Sequence, residues 1–132
     1  MITVTELYRH PVKAHGREAL SAVTLTQGKT MPWDRVWAVA HDMAKFDDAN
    51  PEWAHCVNFS RGAKAPELMA INVTMNESAN TLTFTHYALD PLTINPDVPS
   101  DGAKLVAWTK PIMPADRAPS NRIVRAPDRG MT

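Results

Sequence analysis

The sequence contains a single cysteine, Cys56, and no apolar run long enough to cross a membrane. One thiol cannot form an internal disulfide, which favours a reducing compartment, and a membrane helix needs about 20 consecutive apolar residues. The first six residues are neither basic nor apolar enough for a secretory signal. We therefore expect a cytoplasmic protein without a membrane segment.

An excess of charge of one sign is also missing, because 14 basic residues balance 14 acidic ones. The overall charge therefore attracts neither nucleic acid nor an anionic membrane. The sequence has no zinc-type spacing of His and Cys, and no Gly-x-Ser-x-Gly, P-loop or Rossmann signature. These absences predict a chain without metal ligands or catalytic residues of its own.

Proline, in contrast, is abundant, with 11 in 132 residues. Frequent prolines shorten helices and favour short strands joined by turns. Apolar alternation predicts strands at 2–8, 20–26, 36–41, 70–75, 81–85, 92–94 and 123–125. One helix is predicted to run to Thr109, capped by Asp97 or Ser100. Six or seven short strands with one helix predict a mainly β domain, a small antiparallel barrel.

Two segments are predicted to lie outside this regular structure. Residues 43–66 carry turn signals such as Asn50-Pro51, and a loop of this length often covers a functional site. Residues 115–132 are rich in Arg, Pro and Asp. We expect residues 1–114 to form the domain, and 115–132 to be a linker that buries little and leads to a further domain.

A basic run follows the first predicted strand. It contains Arg9, His10, Lys13, His15 and Arg17, with no acid before Glu18. Loops at strand ends display binding groups, and Gly16 allows a ligand to approach the main chain closely. The run is either a solvated basic loop or a loop that binds an anion such as phosphate.

A second group of residues is Trp33-Asp34-Arg35, just before a buried strand. A planar guanidinium suits bidentate contact with phosphate. Two interpretations remain open from these residues: Arg35 is directed toward a ligand by neighbouring carboxylates, or Asp34 only turns the chain and Arg35 forms a surface ion pair.

Together these segments resemble a known family, the N-terminal barrel domain of MOSC proteins, which include the mitochondrial amidoxime-reducing component. The matching elements, in order, are His-Pro-Val-Lys-Ala-His-Gly at residues 10–16, Asp-Arg-Val-Trp at 34–37, Ser-Arg at 60–61 and Pro-Glu-Leu at 66–68. The resemblance covers residues 2 to 73, and weakly beyond.

The resemblance implies a molybdenum cofactor site shared with a C-terminal MOSC domain. Lys13 and Arg35 match the cationic residues that the family places on the cofactor, and Arg61 matches a further basic position. His15 and Trp33 complete the set of implied cofactor-binding residues. The flat ring of Trp33 would stack on the pterin, although packing is the commoner role of such a ring.

The same resemblance implies that catalysis belongs to a larger protein. The family's metal-ligating cysteine lies in the C-terminal domain, and Cys56 does not occupy its position. Ala14 stands where the family has Ser, so one hydroxyl donor is missing. The whole protein would be a reductase of N-oxygenated compounds or a sulfur carrier. Its partners would be the C-terminal MOSC domain and a redox partner, and the isolated chain would self-associate.

Two other hypotheses remain from the residues alone. The basic run and the four tryptophans allow a small-barrel nucleic-acid binder, although the neutral charge argues against it. A purely structural or interaction domain is the other possibility. Cys56 is either a small residue of a loop or pocket, or a reactive thiol beside His55.

Overall fold

A computed structural model describes residues 1–127 and 129–131 of the chain. Within that range the chain forms seven strands and one α-helix. The strands are β1 (Leu7–Arg9), β2 (Glu18–Leu20), β3 (Trp37–His41), β4 (Asn72–Asn76), β5 (Thr81–His86), β6 (Leu89–Ile94) and β7 (Ser120–Arg125). The helix α1 (Pro99–Thr109) lies between β6 and β7, and 3-10 turns occupy Cys56–Asn58, Pro66–Ala70 and Lys110–Ile112.

All strands pair in antiparallel fashion. β1 pairs with β2, β3 with β7, and β4, β5 and β6 form a three-stranded sheet. Isolated bridges connect these ladders, among them Val12 with Trp37 and Arg17 with Asn72. The prediction of a mainly β domain with antiparallel strands and a single helix is confirmed.

The alternation of side chains along the strands produces the core. In β4, Val73 and Met75 are buried, and the three residues around them are exposed. Across the ladder they face Phe84 and Leu82, which are both fully buried. β3 differs, because four of its five residues are buried, as expected of a short apolar strand covered on both faces.

The helix begins and ends near its predicted limits but has a different cap. Val98 occupies the cap position and offers no side-chain hydrogen bond, so the prediction of Asp97 or Ser100 as the cap is wrong. A proline at the first helical position compensates in part, because its missing N–H needs no partner. Asp97 instead accepts a hydrogen bond from the indole of Trp37 at 2.8 Å.

Two predicted strands are much shorter than expected. Residues 2–6 and 21–26 are not strands, and only Leu7–Arg9 pairs with Glu18–Leu20. Ile2 and Val4 are 100% and 70% exposed. Alternation produces a strand only where a neighbouring segment completes the hydrogen bonds, and no strand of the described chain pairs with these residues.

The expectation that residues 115–132 bury little is wrong. β7 lies in this segment and pairs along all of β3. Val124 and Met131 are buried, at 5% and 0% exposure, because they fill space beside β3. The polar composition of the segment concealed these apolar contacts. Asp128 and Thr132 lie outside the described residues, and the boundary at residue 114 and the further domain stay predictions.

No helix in residues 1–127 and 129–131 is both long and apolar enough to cross a membrane.

Candidate functional site

Two loops carry four of the five residues predicted to bind a cofactor. The first basic loop (residues 10–16) connects β1 and β2 and contains Lys13 and His15. The second basic loop (residues 33–36) precedes β3 and contains Trp33 and Arg35. The fifth predicted residue, Arg61, follows the 3-10 turn at Cys56–Asn58.

The two basic loops lie side by side because their main chains hydrogen-bond to each other. The N–H of Lys13 donates to the carbonyl of Trp37 at 2.8 Å, and that of Trp37 donates to Pro11 at 3.1 Å. The N–H of Arg35 donates to the carbonyl of His10 at 2.6 Å. Lys13 and Arg35 therefore project from adjacent segments, although 21 positions separate them in the sequence.

The main chain of both loops adopts an uncommon conformation. Ala14, Trp33 and Arg35 have φ angles of 62°, 62° and 51°, in the left-handed region that side chains disfavour. Gly16 has a φ of 107°, and a Cβ at this position would lie 3.0 Å from Ile71. Backbone strain of this kind costs about 1–3 kcal/mol per residue and is concentrated at functional sites.

Asp34 links the two basic loops through its carboxylate. Oδ1 accepts the main-chain N–H of His10 at 2.8 Å, and Oδ2 accepts from Nε and Nη2 of Arg35 at 3.0 and 2.6 Å. The Asp34 side chain is 11% exposed and that of Arg35 is 41% exposed. The carboxylate therefore fixes the direction of the guanidinium and leaves it accessible to a ligand.

Lys13 lies among cations and has no carboxylate partner within the described chain. Burial lowers the pKa of its amine, Arg35 and Arg61 lower that pKa further, and Cys56 acts in the opposite direction. Nearby like charges disfavour the protonated amine, whereas an anion would favour it. No carboxylate of the described chain therefore compensates the charge at Lys13.

Arg61 approaches the same neighbourhood from the long loop. Its Nη1 lies 2.8 Å from the Sγ of Cys56, which in turn is 3.9 Å from Nδ1 of His55. Cys56 is a free, partly buried thiol. Within the described residues, no group of three or more His, Cys, Asp or Glu side chains is arranged to hold a metal.

His15 points inward rather than toward a ligand. It is fully buried, and its Nδ1 lies 2.9 Å from the carbonyl of Lys13, while Nε2 has no partner in the described structure. Burial lowers the pKa of His15 to about 4. A neutral ring donates from Nδ1 to that carbonyl. His15 therefore supports the loop from inside.

Trp33 packs against other side chains of the domain. Its ring stacks on Trp37 with 5.8 Å between centroids and 16° between planes. The guanidinium of Arg125 lies 6.0 Å from the Trp33 ring and 5.2 Å from the Trp37 ring. Asp97 accepts from both Trp37 and Arg125 at 2.8 Å. Sequence reasoning missed this network, because nothing local connects Asp97 or Arg125 with the second basic loop.

The tail also supports the second basic loop. The N–H of Met131 donates to the carbonyl of Arg35 at 2.7 Å. Gly130 passes so close that a Cβ there would lie 2.8 Å from the carbonyl oxygen of Asp34. The residues after β7 therefore hold Arg35 in place, a role for which the sequence gives no local signal.

Other members of the basic run are already engaged. The guanidinium of Arg9 forms a buried ion pair with Glu18 and contacts Glu77 at 3.0 Å. Arg17 lies over the ring of Tyr8 at 4.6 Å. Burial lowers the pKa of His10, and Arg35 adds to that effect while Asp34 opposes it. Within the basic run, Lys13 is therefore the cation best placed to bind an anion.

Comparison with known proteins gives one match. A family model described as the MOSC N-terminal beta barrel domain matches residues 1–115. No curated protein and no solved structure matches the chain.

Proposed function

Because this chain belongs to the family of MOSC N-terminal β-barrel domains, we propose that it holds the phosphate end of a molybdenum cofactor. Lys13 carries the proposal, since its amine is partly buried, lacks a carboxylate partner in the described chain and is influenced by two guanidinium groups. Lys is a compact charge that suits phosphate, and the planar fork of Arg35 suits bidentate contact.

The phosphate end fits this chain better than the pterin end. Lys13, Arg35 and Arg61 would share the negative charge of a phosphate. Trp33 already stacks on Trp37, so one of its faces is not available to a pterin. Ala14 has no hydroxyl to donate. The remaining cofactor contacts would therefore come from a C-terminal MOSC domain in the same protein.

These contacts give the cofactor and this chain different roles. When bound, the cofactor supplies molybdenum chemistry, either in reduction of N-oxygenated compounds or in sulfur transfer. The residues of this chain bind and orient the phosphate and compensate its charge. The family places its metal-ligating cysteine in the C-terminal domain, so we propose activity only for the protein that contains both domains, together with a redox partner.

The molybdenum and pterin contents of that two-domain protein test the proposal. Lys13→Gln and Arg35→Gln each remove one positive charge from the site. Each should reduce bound molybdenum about tenfold, the effect of losing one charge-assisted contact of about 1.4 kcal/mol. Lys29→Gln, in an exposed turn outside both basic loops, is the matched control and should retain full content. Unchanged molybdenum in both site variants would contradict the proposal.

A further inference from the structure

A second basic feature lies beside the loop that contains Arg61. It is a pocket of about 220 Å³ between the end of β3, the turn that follows Phe59, and the segment before β7. Its lining residues are His41, Val57, Phe59, Ser60, Arg61, Lys64, Ala65, Met113, Arg117 and Ala118. None of these is acidic, and three (Arg61, Lys64 and Arg117) are basic.

The cations around this pocket differ from three other arginines of the protein. Arg9, Arg122 and Arg125 each pair with a carboxylate within 3.0 Å. In the described chain, no carboxylate lies within ion-pair distance of the three cations that line the pocket. Three uncompensated positive charges around one concave surface favour a bound anion.

The local fold explains why these charges converge. The N–H groups of Lys64 and Ala65 both donate to the carbonyl of Arg61, at 3.1 and 2.9 Å, which forms a tight turn. This turn brings Lys64 and Arg61 to one rim of the pocket. Arg117 comes from the segment before β7, and the pairing of β7 with β3 fixes that segment beside the turn.

Two uncharged polar side chains line the pocket, and only the hydroxyl of Ser60 is available to a ligand, because the imidazole of His41 is already engaged. The Oγ of Ser60 lies 2.8 Å from the Oγ of Ser120, and this pair uses only one of its two hydroxyl protons. Both ring nitrogens of His41 are engaged, one with the carbonyl of Val57 at 2.7 Å and one with the N–H of Met43 at 3.1 Å. His41 is therefore a wall of the pocket, and Ser60 can donate to a ligand when Ser120 is the donor in the bond between the two hydroxyls.

We propose that this pocket binds a single small oxyanion of the phosphate class. Its volume of about 220 Å³ is below the range of about 300–1,000 Å³ that is typical of sites for drug-sized ligands, so it suits a group of the size of a phosphate. Lys64 and Arg117 supply charge, Arg61 contributes from the side of Cys56, and Ser60 donates to the anion while Ser120 donates to Ser60. Lys13 and Arg35 do not line this pocket, and Arg61 is shared between it and the proposed cofactor site.

A titration of the ¹⁵N-labelled chain with inorganic phosphate at constant ionic strength tests this site. The amide signals of Lys64, Ala65 and Ala118 should shift with one common dissociation constant. Lys64→Gln and Arg117→Gln should each weaken that constant about fivefold to tenfold, as expected for one charge-assisted contact. Lys29→Gln should leave it unchanged. Both substitutions affect exposed side chains, so folding should be retained.

Lys13→Gln separates this inference from the proposed function. In this variant the pocket amides should still shift with the wild-type constant. If the pocket amides of the wild-type protein do not shift, or if the Lys64 and Arg117 variants bind as tightly as the Lys29 control, the inference is wrong, whatever the result at Lys13. A titration with phenyl phosphate distinguishes the two possible sources of the anion. Tighter binding than that of inorganic phosphate indicates a phosphate group of a larger molecule, and weaker binding indicates the free anion.

Discussion

The main-chain N–H of Lys13 donates to the carbonyl of Trp37 at 2.8 Å, and this bond joins the first basic loop to β3. Trp37 is fully buried, and its indole donates to Asp97. The position of Lys13 is therefore set by a strand of the core rather than by a mobile loop. A main chain fixed in this way loses little conformational entropy when the loop binds an anion.

Gly16→Ala in the first basic loop should lower the free energy of unfolding of the protein more than Gly28→Ala does. Both glycines have positive φ angles, 107° and 75°, so each substitution costs about 1–2 kcal/mol of unfolding free energy from backbone strain. Only at Gly16 does the new Cβ also lie 3.0–3.3 Å from Ile71 and Val73. Chemical denaturation of the two variants measures the difference; equal losses would contradict it.

Gly130→Ala should destabilise the protein by about 1–3 kcal/mol, the range for overpacking, because the new Cβ would lie 2.8 Å from the carbonyl of Asp34. Gly102→Ala is the control, and this substitution should stabilise the protein. Its Cβ would make ordinary contacts of 3.5–3.6 Å with Ile123, and alanine favours the helix by about 0.5–1 kcal/mol. If Gly130→Ala is neutral in thermal unfolding, the tail does not pack on the second basic loop.

Arg9→Met should cost about 3–5 kcal/mol, because it leaves the carboxylate of Glu18 buried without its cation. The two side chains are only 8% and 9% exposed. Lys104→Met breaks an exposed pair with Asp101 and should cost no more than about 0.5 kcal/mol. Denaturant titrations of both variants at pH 7 make the comparison, and similar losses would show that the Arg9 pair is not buried in solution.

His15 should make the stability of the protein fall in mild acid. Its pKa is 6.5 in an unfolded chain and about 4 when folded, so between these values the unfolded state binds more protons. Stability is then complete above pH 6.5 and decreases as the pH falls toward 4, by at most about 1.4 kcal/mol per pH unit. His15→Asn keeps a donor for the Lys13 carbonyl and removes the titration.

The difference between the wild-type and His15→Asn profiles isolates this effect from His10 and the carboxylates. Denaturant titrations at pH 7.0, 6.0 and 5.0 should give profiles that diverge below pH 6.5. Parallel profiles would mean that the ring is not buried as described.

The parts of the fold that the sequence could predict are those with local signals. The run that contains β3 and the hairpin of β4 and β5 show apolar patterns between turn residues, and the structure confirms them. Residues 2–6 and 21–26 have the same alternation but pair with no strand of the described chain, and a local pattern cannot reveal this. The pairing of β7 with β3 joins distant parts of the chain, so the polar composition around Val124 was misleading.

The same distinction applies to the candidate site. The motifs indicated Lys13 and Arg35, and their loops are adjacent because main-chain hydrogen bonds connect them. Sequence alone could not show that His15 faces the interior. A shift of one residue along a loop moves a side chain from one side of the loop to the other, and no local pattern indicates which side is buried. The supporting roles of Asp97 and Gly130 depend on contacts across the fold and were not predictable.

The pKa of the Lys13 amine tests the central claim most directly. It can be followed through the ¹³Cε resonance, assigned by its loss in Lys13→Gln, with and without inorganic phosphate at matched ionic strength. We expect a pKa below the usual lysine range without phosphate, because of burial and the neighbouring Arg35 and Arg61. Bound phosphate should raise it, since an anion favours the protonated amine. A pKa that is ordinary in both conditions, or that phosphate leaves unchanged, would contradict the account.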